Sequence, residues 1–329
     1  MAHQGGHISG AGWTISPLAD GTRPRSNLTG ILRGFGPATD VTEPQQARRQ
    51  ANMTTVDHII IAVSDLARAS EDFGLLLGRE PSWQGSHPDY GTSNTLFQLD
   101  NTYIELLAAT GEGIGSDAVT QMLAGREQGL GGLVFGTEDC DAFLGQARAA
   151  GLAASDPLPG HGTDDLSGSQ RSWRNMFWDP EAARGVFSFA ICHDPGGNLT
   201  PAPVTGEGAI TGVDHVVVAT QSAEAAKRFY GEQLGIRLAL EQHVPDWGGT
   251  QLFFRSNSMS IEVIASEKTG PRDSLWGLAL KTDNIEATHT RLEAAGILVS
   301  EVRAGRKPGT QVCTVKSCNL DVPTLVIAH

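Results

Sequence analysis

Two histidine–glutamate pairs recur at one spacing in this sequence of 329 residues. Glu105 follows His58 by 47 residues (105 − 58), and Glu262 follows His215 by 47 residues (262 − 215). An imidazole and a carboxylate are ligands that Zn, Mn, Fe, Co and Ni accept, and both groups also transfer protons. Each pair could equally form a buried hydrogen-bonded contact across a sheet. The residue types therefore leave metal binding, acid–base catalysis and a structural polar pair open.

An internal repeat carries both pairs. A constant offset of 157 residues (215 − 58) aligns 56–63 with 213–220, and it also superposes Gly78 on Gly235 and Phe97 on Phe254. Such a match predicts two copies of one design. We expect the first copy at 53–192 and the second at 211–329, joined by a Gly- and Pro-rich linker at 193–210.

Each copy is predicted to contain two βαβββ units. A β-branched run at 56–63 predicts a buried strand, and Asp65 predicts the start of a helix over 66–77 that ends at Gly78. The predicted fold class is therefore α+β, with four βαβββ units in two halves of curved, antiparallel-rich sheets. Further predicted strands are 80–84, 95–99, 102–107, 132–137, 152–154, 172–178, 185–192, 278–282, 298–302, 311–316 and 324–328, and further predicted helices are 139–150, 223–234 and 284–295.

Composition excludes several classes of protein. No apolar run approaches the roughly 18 residues that cross a bilayer, and the net charge of −13 comes without a basic patch, so we expect neither membrane nor nucleic-acid partners. Residues 1–52 show no apolar period and are predicted to be a disordered leader. The scattered cysteines and the absence of a signal peptide predict reduced thiols and a cytoplasmic protein: Cys140, Cys192, Cys313 and Cys318.

The first half is predicted to be the working one, because it offers more polar groups to a pocket. Arg174 is the candidate carboxylate-binding cation, since its strand is expected to face the pocket. The polar stretch 160–165 is expected to be a loop that closes over a ligand, and Tyr90 with Trp247 forms an aromatic wall at equivalent positions of the two copies. The predicted ligand contacts are His87, Tyr90, Asn94, Tyr103 and Arg174.

Four such units, with a glutamate on the last strand of the first and third, resemble the vicinal oxygen chelate superfamily. Within it, the run 87–94 followed by 101–106 resembles glyoxalase-like domain proteins. The resemblance implies paired units that form a cup, a small-molecule ligand, and metal-assisted lyase or isomerase chemistry on a small, oxygen-rich substrate. It makes His58 and Glu105 the catalytic candidates, and it is compatible with a homo-oligomer.

The resemblance also implies two alternatives. One is a metal-free protein that sequesters a ligand, as bleomycin-resistance proteins do, and the other is an extradiol-type ring-cleaving dioxygenase. No nucleotide cofactor is expected, because the glycines at 129–132 are not followed by a lysine or a helix cap.

This sequence departs from the metal-ligand pattern of the superfamily. The second and fourth units carry glycine where the first and third carry histidine, and their last strands are apolar near Phe189 and Leu325. Each half then supplies two ligands, fewer than the three or four that such metal sites use. A full shell requires the first and third units to share one site made of His58, Glu105, His215 and Glu262. His87, His193, His243 and His329 have no spacing that recommends them as further ligands.

Overall fold

The structure, a computed structural model, describes residues 54–244 and 248–329. The predicted leader at 1–52 and Trp247 of the predicted aromatic wall lie outside the described residues. Among the residues that it describes, no helix is long and apolar enough to cross a membrane.

The first half folds into a closed barrel of eight strands. Helix α1 begins where the Asp65 side chain accepts the backbone N–H of Arg68, and it ends at Gly78 in the left-handed conformation (φ 66°), as predicted. The strand order around the barrel is β1-β4-β3-β2-β6-β7-β8-β5. The elements are β1 (Thr55–Val63), α1 (Leu66–Leu77), β2 (Trp83–His87), β3 (Thr92–Gln98), β4 (Tyr103–Ala109), α2 (Ile114–Leu123), β5 (Gln128–Gly136), α3 (Cys140–Ala149), β6 (Leu158–Asp164), β7 (Gln170–Phe177) and β8 (Phe187–His193).

The second half repeats the order of elements except for a counterpart of α2, but it stays an open sheet. Its eight strands lie in the order β10-β11-β12-β9-β13-β16-β15-β14, so β10 and β14 are edges. The predicted helix over 223–234 is α-helical only at its start and continues as a π-helix over Lys227–Gln233. The elements are β9 (Gly212–Thr220), α4 (Ala223–Ala226), β10 (Arg237–Val244), β11 (Gly249–Ser256), β12 (Met259–Ala265), β13 (Ser274–Lys281), α5 (Ile285–Ala294), β14 (Arg303–Ala304), β15 (Gln311–Val315) and β16 (Thr324–Ala328).

One glycine shows why the two sheets differ. β2 and β6 close the barrel by pairing Gly85 with Asp164 and Ser86 with Thr163. A Cβ atom at Gly85 would collide with the carbonyl oxygen of Thr163, so the strands reach this separation only with glycine there. The position 157 residues later is Gln242 in β10, which stays unpaired on that side.

Several predictions about local structure were wrong. The stretch 160–165 is no loop, because 158–164 form β6, and its glycines make room for the indole of Trp173, which a Cβ at Gly160 would strike. Helix α2 was not predicted. Residues 152–154 and 298–302 form no strand, although Val299 makes an isolated bridge to Val315. The prediction of two similar halves in a sheet-rich α+β fold is confirmed.

The prediction of four reduced cysteines was also wrong. Cys140 and Cys192 form a disulfide, whereas Cys313 and Cys318 are free thiols. β5 and β8 lie side by side and parallel, and Gly136 at the end of β5 pairs with Ile191. Cys140 opens the helix that follows β5, so the pairing of strands brings it to Cys192 from 52 residues away. Sequence spacing alone carries no sign of this contact.

Each half holds the first strand of the other. The Asn101 side chain both donates to Val213 O (2.8 Å) and accepts from Val213 N (3.1 Å). In return, Asn257 donates to Val56 O (2.8 Å), and Val56 N donates to Ser256 Oγ (2.8 Å). The backbone next to each candidate histidine is therefore fixed by a turn of the opposite half.

We predict that Asn101→Ala lowers the free energy of unfolding by about 1–3 kcal/mol, because it leaves the N–H and C=O of buried Val213 without partners. Chemical denaturation measures this change. Asp100→Ala is the matched control, since Asp100 is exposed and adjacent. Equal stability of the wild type and Asn101→Ala would show that the hydrogen bonds between Asn101 and Val213 contribute nothing to the free energy of unfolding.

Candidate functional site

A β-bulge presents two consecutive side chains of β1 to one cluster. The pairing of β1 with β5 shifts between Val56 and His58, which leaves Asp57 as the extra residue. A bulge of this kind re-aims a side chain that strand alternation would send to the opposite face. His58 Nδ1 therefore lies 2.6 Å from Asp57 Oδ1, and His193, which ends β8, lies 3.0 Å from Asp57 Oδ2 through its Nε2.

The parallel pairing of β1 with β4 places Glu105 beside His58. His58 is opposite Tyr103 in the ladder, and their rings stack at 4.5 Å. Two residues further along the same face, Glu105 Oε2 lies 3.2 Å from His58 Nε2. Asn94 on the neighbouring β3 donates through Nδ2 to Glu105 Oε1 at 2.7 Å. A continuous polar chain thus runs His193–Asp57–His58–Glu105–Asn94.

The chain sets the charge on its members. Burial lowers the pKa of His58, but the hydrogen bonds to Asp57 and Glu105 outweigh burial and raise it to about 9. Burial raises the pKa of Asp57, yet the bonds to His193 and His58 hold it below its usual value. The pKa of Glu105 is likewise lowered, because the bond to His58 outweighs burial. At neutral pH, His58 is therefore an imidazolium between two carboxylates.

The chain lies at the wall of a cavity of about 330 Å³ inside the barrel. The predicted residues that line it are His58, His87, Tyr90, Asn94, Tyr103 and Glu105. Helix α2 adds Ile114, Ala118 and Met122 to the lining. The rest of the wall includes five large aromatic side chains, which are Trp83, Trp173, Phe177, Phe187 and Phe189.

Arg174 is not among the lining residues, and Arg171 takes the place that was predicted for it. Along β7, Arg171, Trp173, Asn175 and Phe177 line the cavity, because alternate residues of a strand share a face. Arg174 belongs to the other set, is half-exposed, and lies 3.8 Å from Asp194. The strand was predicted correctly, but the prediction that Arg174 faces the cavity was wrong, because the odd-numbered residues of β7 face inward and Arg174 is even-numbered.

The second half contains a copy of the polar chain. Asp214 is again the bulged residue, and His215 lies 2.7 Å from it and 3.2 Å from Glu262. Gln251 donates to Glu262, and His329 lies 2.6 Å from Asp214. Here the sheet is open, and the cavity described above includes none of these residues.

Comparisons with known proteins agree with this architecture. Residues 56–208 match a family model described as a glyoxalase-like domain, and residues 214–314 match one described as the glyoxalase/bleomycin resistance protein/dioxygenase superfamily. The chain belongs to the vicinal oxygen chelate superfamily. The resemblance seen in the sequence is thereby confirmed. A search of curated proteins finds no match.

Several solved structures share the fold of the chain. A mutant of 4-hydroxymandelate synthase from Streptomyces coelicolor has a TM-score of 0.59 at 14% identity, and the match covers 83% of this chain and 92% of that one. A hypothetical protein from Staphylococcus aureus has a TM-score of 0.56 at 13% identity, with 84% and 99% covered. A fusion of a xylose isomerase-like TIM barrel and 4-hydroxyphenylpyruvate dioxygenase gives 0.53 at 14% identity, with 83% and 48% covered.

The residues around His58 do not form a complete set of ligands for a metal ion. No group of three or more His, Cys, Asp or Glu side chains within 54–244 and 248–329 could hold one. Both nitrogens of His58 contact carboxylates, and an imidazolium must lose a proton before it coordinates. At the corresponding positions the second unit has Gly132 and Phe189, neither of which offers a metal ligand. The residues present therefore supply two donors, one short of the usual minimum.

Sequence reasoning missed Asp57, Arg171, Asn175 and His193 as members of the site. The sequence did contain a signal for Asp57 and for His193. Asp precedes His at the start of both β1 and β9, and both the second and the fourth unit end with a histidine, at His193 and His329. No comparable signal marked Arg171 or Asn175, since only the register of β7 shows which residues face inward.

We predict that His58 contributes stability that is fully present below pH 6.5 and is lost as pH rises through about 9, because its pKa in the folded state is raised to about 9. The difference in unfolding free energy between the wild type and His58→Gln should narrow over that interval. Denaturation at a series of pH values measures it. A difference that is constant from pH 6 to 9.5 would show that His58 is not held as an imidazolium.

Proposed function

We propose that the first half binds a small, mostly apolar organic molecule inside its barrel, against the His58–Glu105 pair. The observation that carries this proposal is the aromatic-lined cavity of about 330 Å³ inside the barrel, with a few convergent polar groups on its wall. Apolar cavities of this size with a few placed polar groups are typical of small-molecule sites. Aromatic walls favour a flat ligand, because ring faces and edges stack well against it.

The polar part of the wall offers a buried acceptor to a hydrogen-bond donor of the ligand. A carboxylate only accepts hydrogen bonds, so Asn94 must turn its NH₂ group toward Glu105. Its oxygen, Oδ1, is then buried and has no hydrogen-bond partner among the residues that the structure describes. The same is true of Asn175 Oδ1 on β7. A ligand hydroxyl or N–H group would satisfy the Asn94 oxygen, and an unsatisfied buried acceptor is costly.

A second candidate function is metal-independent lyase or isomerase chemistry on that ligand. It is favoured by Glu105, a cavity-lining carboxylate held in place by both His58 and Asn94. Such a carboxylate can accept a proton from the bound molecule, and the imidazolium can stabilise the negative charge that develops nearby. The lowered pKa of Glu105 weakens it as a base, which is why binding is the first proposal.

The metal-assisted form of this chemistry, which the resemblance implies, needs at least one ligand beyond His58 and Glu105. A divalent ion held by these two side chains would take its remaining ligands from the bound molecule or water and would polarise a carbonyl group. Metal analysis of the purified protein tests this form. Oxygen uptake with catechols tests the ring-cleaving alternative, which is motivated by the structural likeness to a fusion protein that contains 4-hydroxyphenylpyruvate dioxygenase.

Only the first half is proposed to bind ligand, and the matched glutamates test this. We predict that Glu105→Gln weakens binding of aromatic probes about tenfold, because it removes the carboxylate that orients Asn94 and His58. Glu262→Gln, at the equivalent position of the open sheet, should leave binding unchanged. Calorimetric titration with 2-naphthol, naphthalene-2-carboxylate and naphthalene-2-carboxamide measures both.

Two outcomes contradict the proposal. Failure of the wild type to bind any of the three probes would remove the first half as an aromatic-binding cavity. Equal weakening by Glu105→Gln and Glu262→Gln would indicate a site shared between the halves, as the four-ligand shell of His58, Glu105, His215 and Glu262 requires.

A further inference from the structure

One cation in the cavity has no anionic partner among the described residues. Arg171 is buried, with 8% of its surface exposed, and it lines the cavity. Its Nε donates to Gly197 O at 2.6 Å. Its guanidinium carbon lies 5.5 Å from the centre of the Trp83 ring and 5.9 Å from that of Tyr103. The contacts that hold the guanidinium are thus with two aromatic rings and one carbonyl oxygen.

Burial of this charge is costly as it stands. None of the aspartates and glutamates in the described ranges forms an ion pair with Arg171, although Arg174 on the same strand lies 3.8 Å from Asp194. Cation–π contacts recover only part of the lost hydration. An arginine buried in an apolar site usually finds a carboxylate or phosphate, because the desolvated charge is otherwise uncompensated.

A comparison within the molecule shows what is particular to Arg171. Arg79 is equally buried and also donates to one carbonyl oxygen, that of Ile210. A buried arginine can therefore have the role of binding a main-chain carbonyl group. Arg79, however, is not part of the cavity wall. Arg171 differs because the space that it borders is large enough for a ligand.

We infer that Arg171 is the binding residue for a carboxylate group on the ligand, so that the ligand class is an aromatic carboxylate. This rests on the proposed ligand-binding function of the barrel. The planar guanidinium fork matches the two oxygens of a carboxylate, and such bonds strengthen when water is excluded. The cation is the group on the cavity wall that distinguishes an acid from its neutral analogues.

The inward face of β7 fits a molecule of this class along its length. It presents Arg171, Trp173, Asn175 and Phe177 in that order, and the last of these packs on Phe189 of β8 with ring centres 5.1 Å apart. The charged end of this face suits the carboxylate and the aromatic end suits the ring system. Asn175 between them offers an amide to a polar substituent.

The test compares an acid with its amide in the wild type and in two variants of one strand. Calorimetric titration should show naphthalene-2-carboxylate binding at least about tenfold more tightly than naphthalene-2-carboxamide. Arg171→Gln should abolish this preference and leave the affinity for the amide within about threefold. Arg174→Gln is the matched control, with an exposed side chain on the same strand, and should keep the preference.

Arg171→Lys is a second variant that keeps the test informative if Arg171→Gln fails to fold. It keeps the charge and loses the fork, so the preference for the acid should shrink without vanishing. Equal affinities of the wild type for the acid and the amide overturn the inference while leaving the binding function intact. A preference that survives in Arg171→Gln overturns it as well. Binding of neither probe nor of 2-naphthol overturns both the inference and the proposed function.

Discussion

The site depends on the hydrogen bonds that hold His58 between Asp57 and Glu105. A buried imidazole keeps its proton only when nearby carboxylates outweigh the loss of hydration, and here two do so. Neither carboxylate would be in place without the sheet. The bulge at Asp57 turns that side chain toward its neighbour, and the parallel register of β1 and β4 brings Glu105 alongside. Backbone pairing thus determines the charge state of the site.

The same polar chain occupies two different environments in one molecule. Around His58 the sheet closes into a barrel, whereas around His215 it remains open, so the first histidine is 3% exposed and the second 18%. This difference in exposure depends on whether another strand can pair with the edge of the sheet. Gly85 lets β2 meet β6, and Gln242 stands at the matching position of β10. A duplicated fold has kept its polar chain in both halves and enclosed it in one.

The cavity owes its mixed character to the difference between the two units that build it. The first unit supplies His58, Asn94 and Glu105, whereas the second unit has Gly132 and Phe189 at the positions that correspond to His58 and Glu105. The first unit therefore supplies the His58–Glu105–Asn94 part of the polar chain, and the second unit supplies mostly apolar side chains together with Arg171, Asn175 and His193. The proposed ligand would be oriented by these groups, because a reversed molecule would leave Asn94 Oδ1 without a donor.

The sequence by itself determined the repeat, the helix capped by Asp65 and ended by Gly78, and the His58–Glu105 pair, because these depend on local periodicity and on a constant offset along the chain. Tertiary structure alone decided the rest. The inward face of β7, and so the choice of Arg171 over Arg174, depends on a register that a shift of one residue reverses. The partnership of Cys140 with Cys192, and the closure of one sheet beside an open one, depend on contacts between strands distant in sequence, which local residue patterns do not encode.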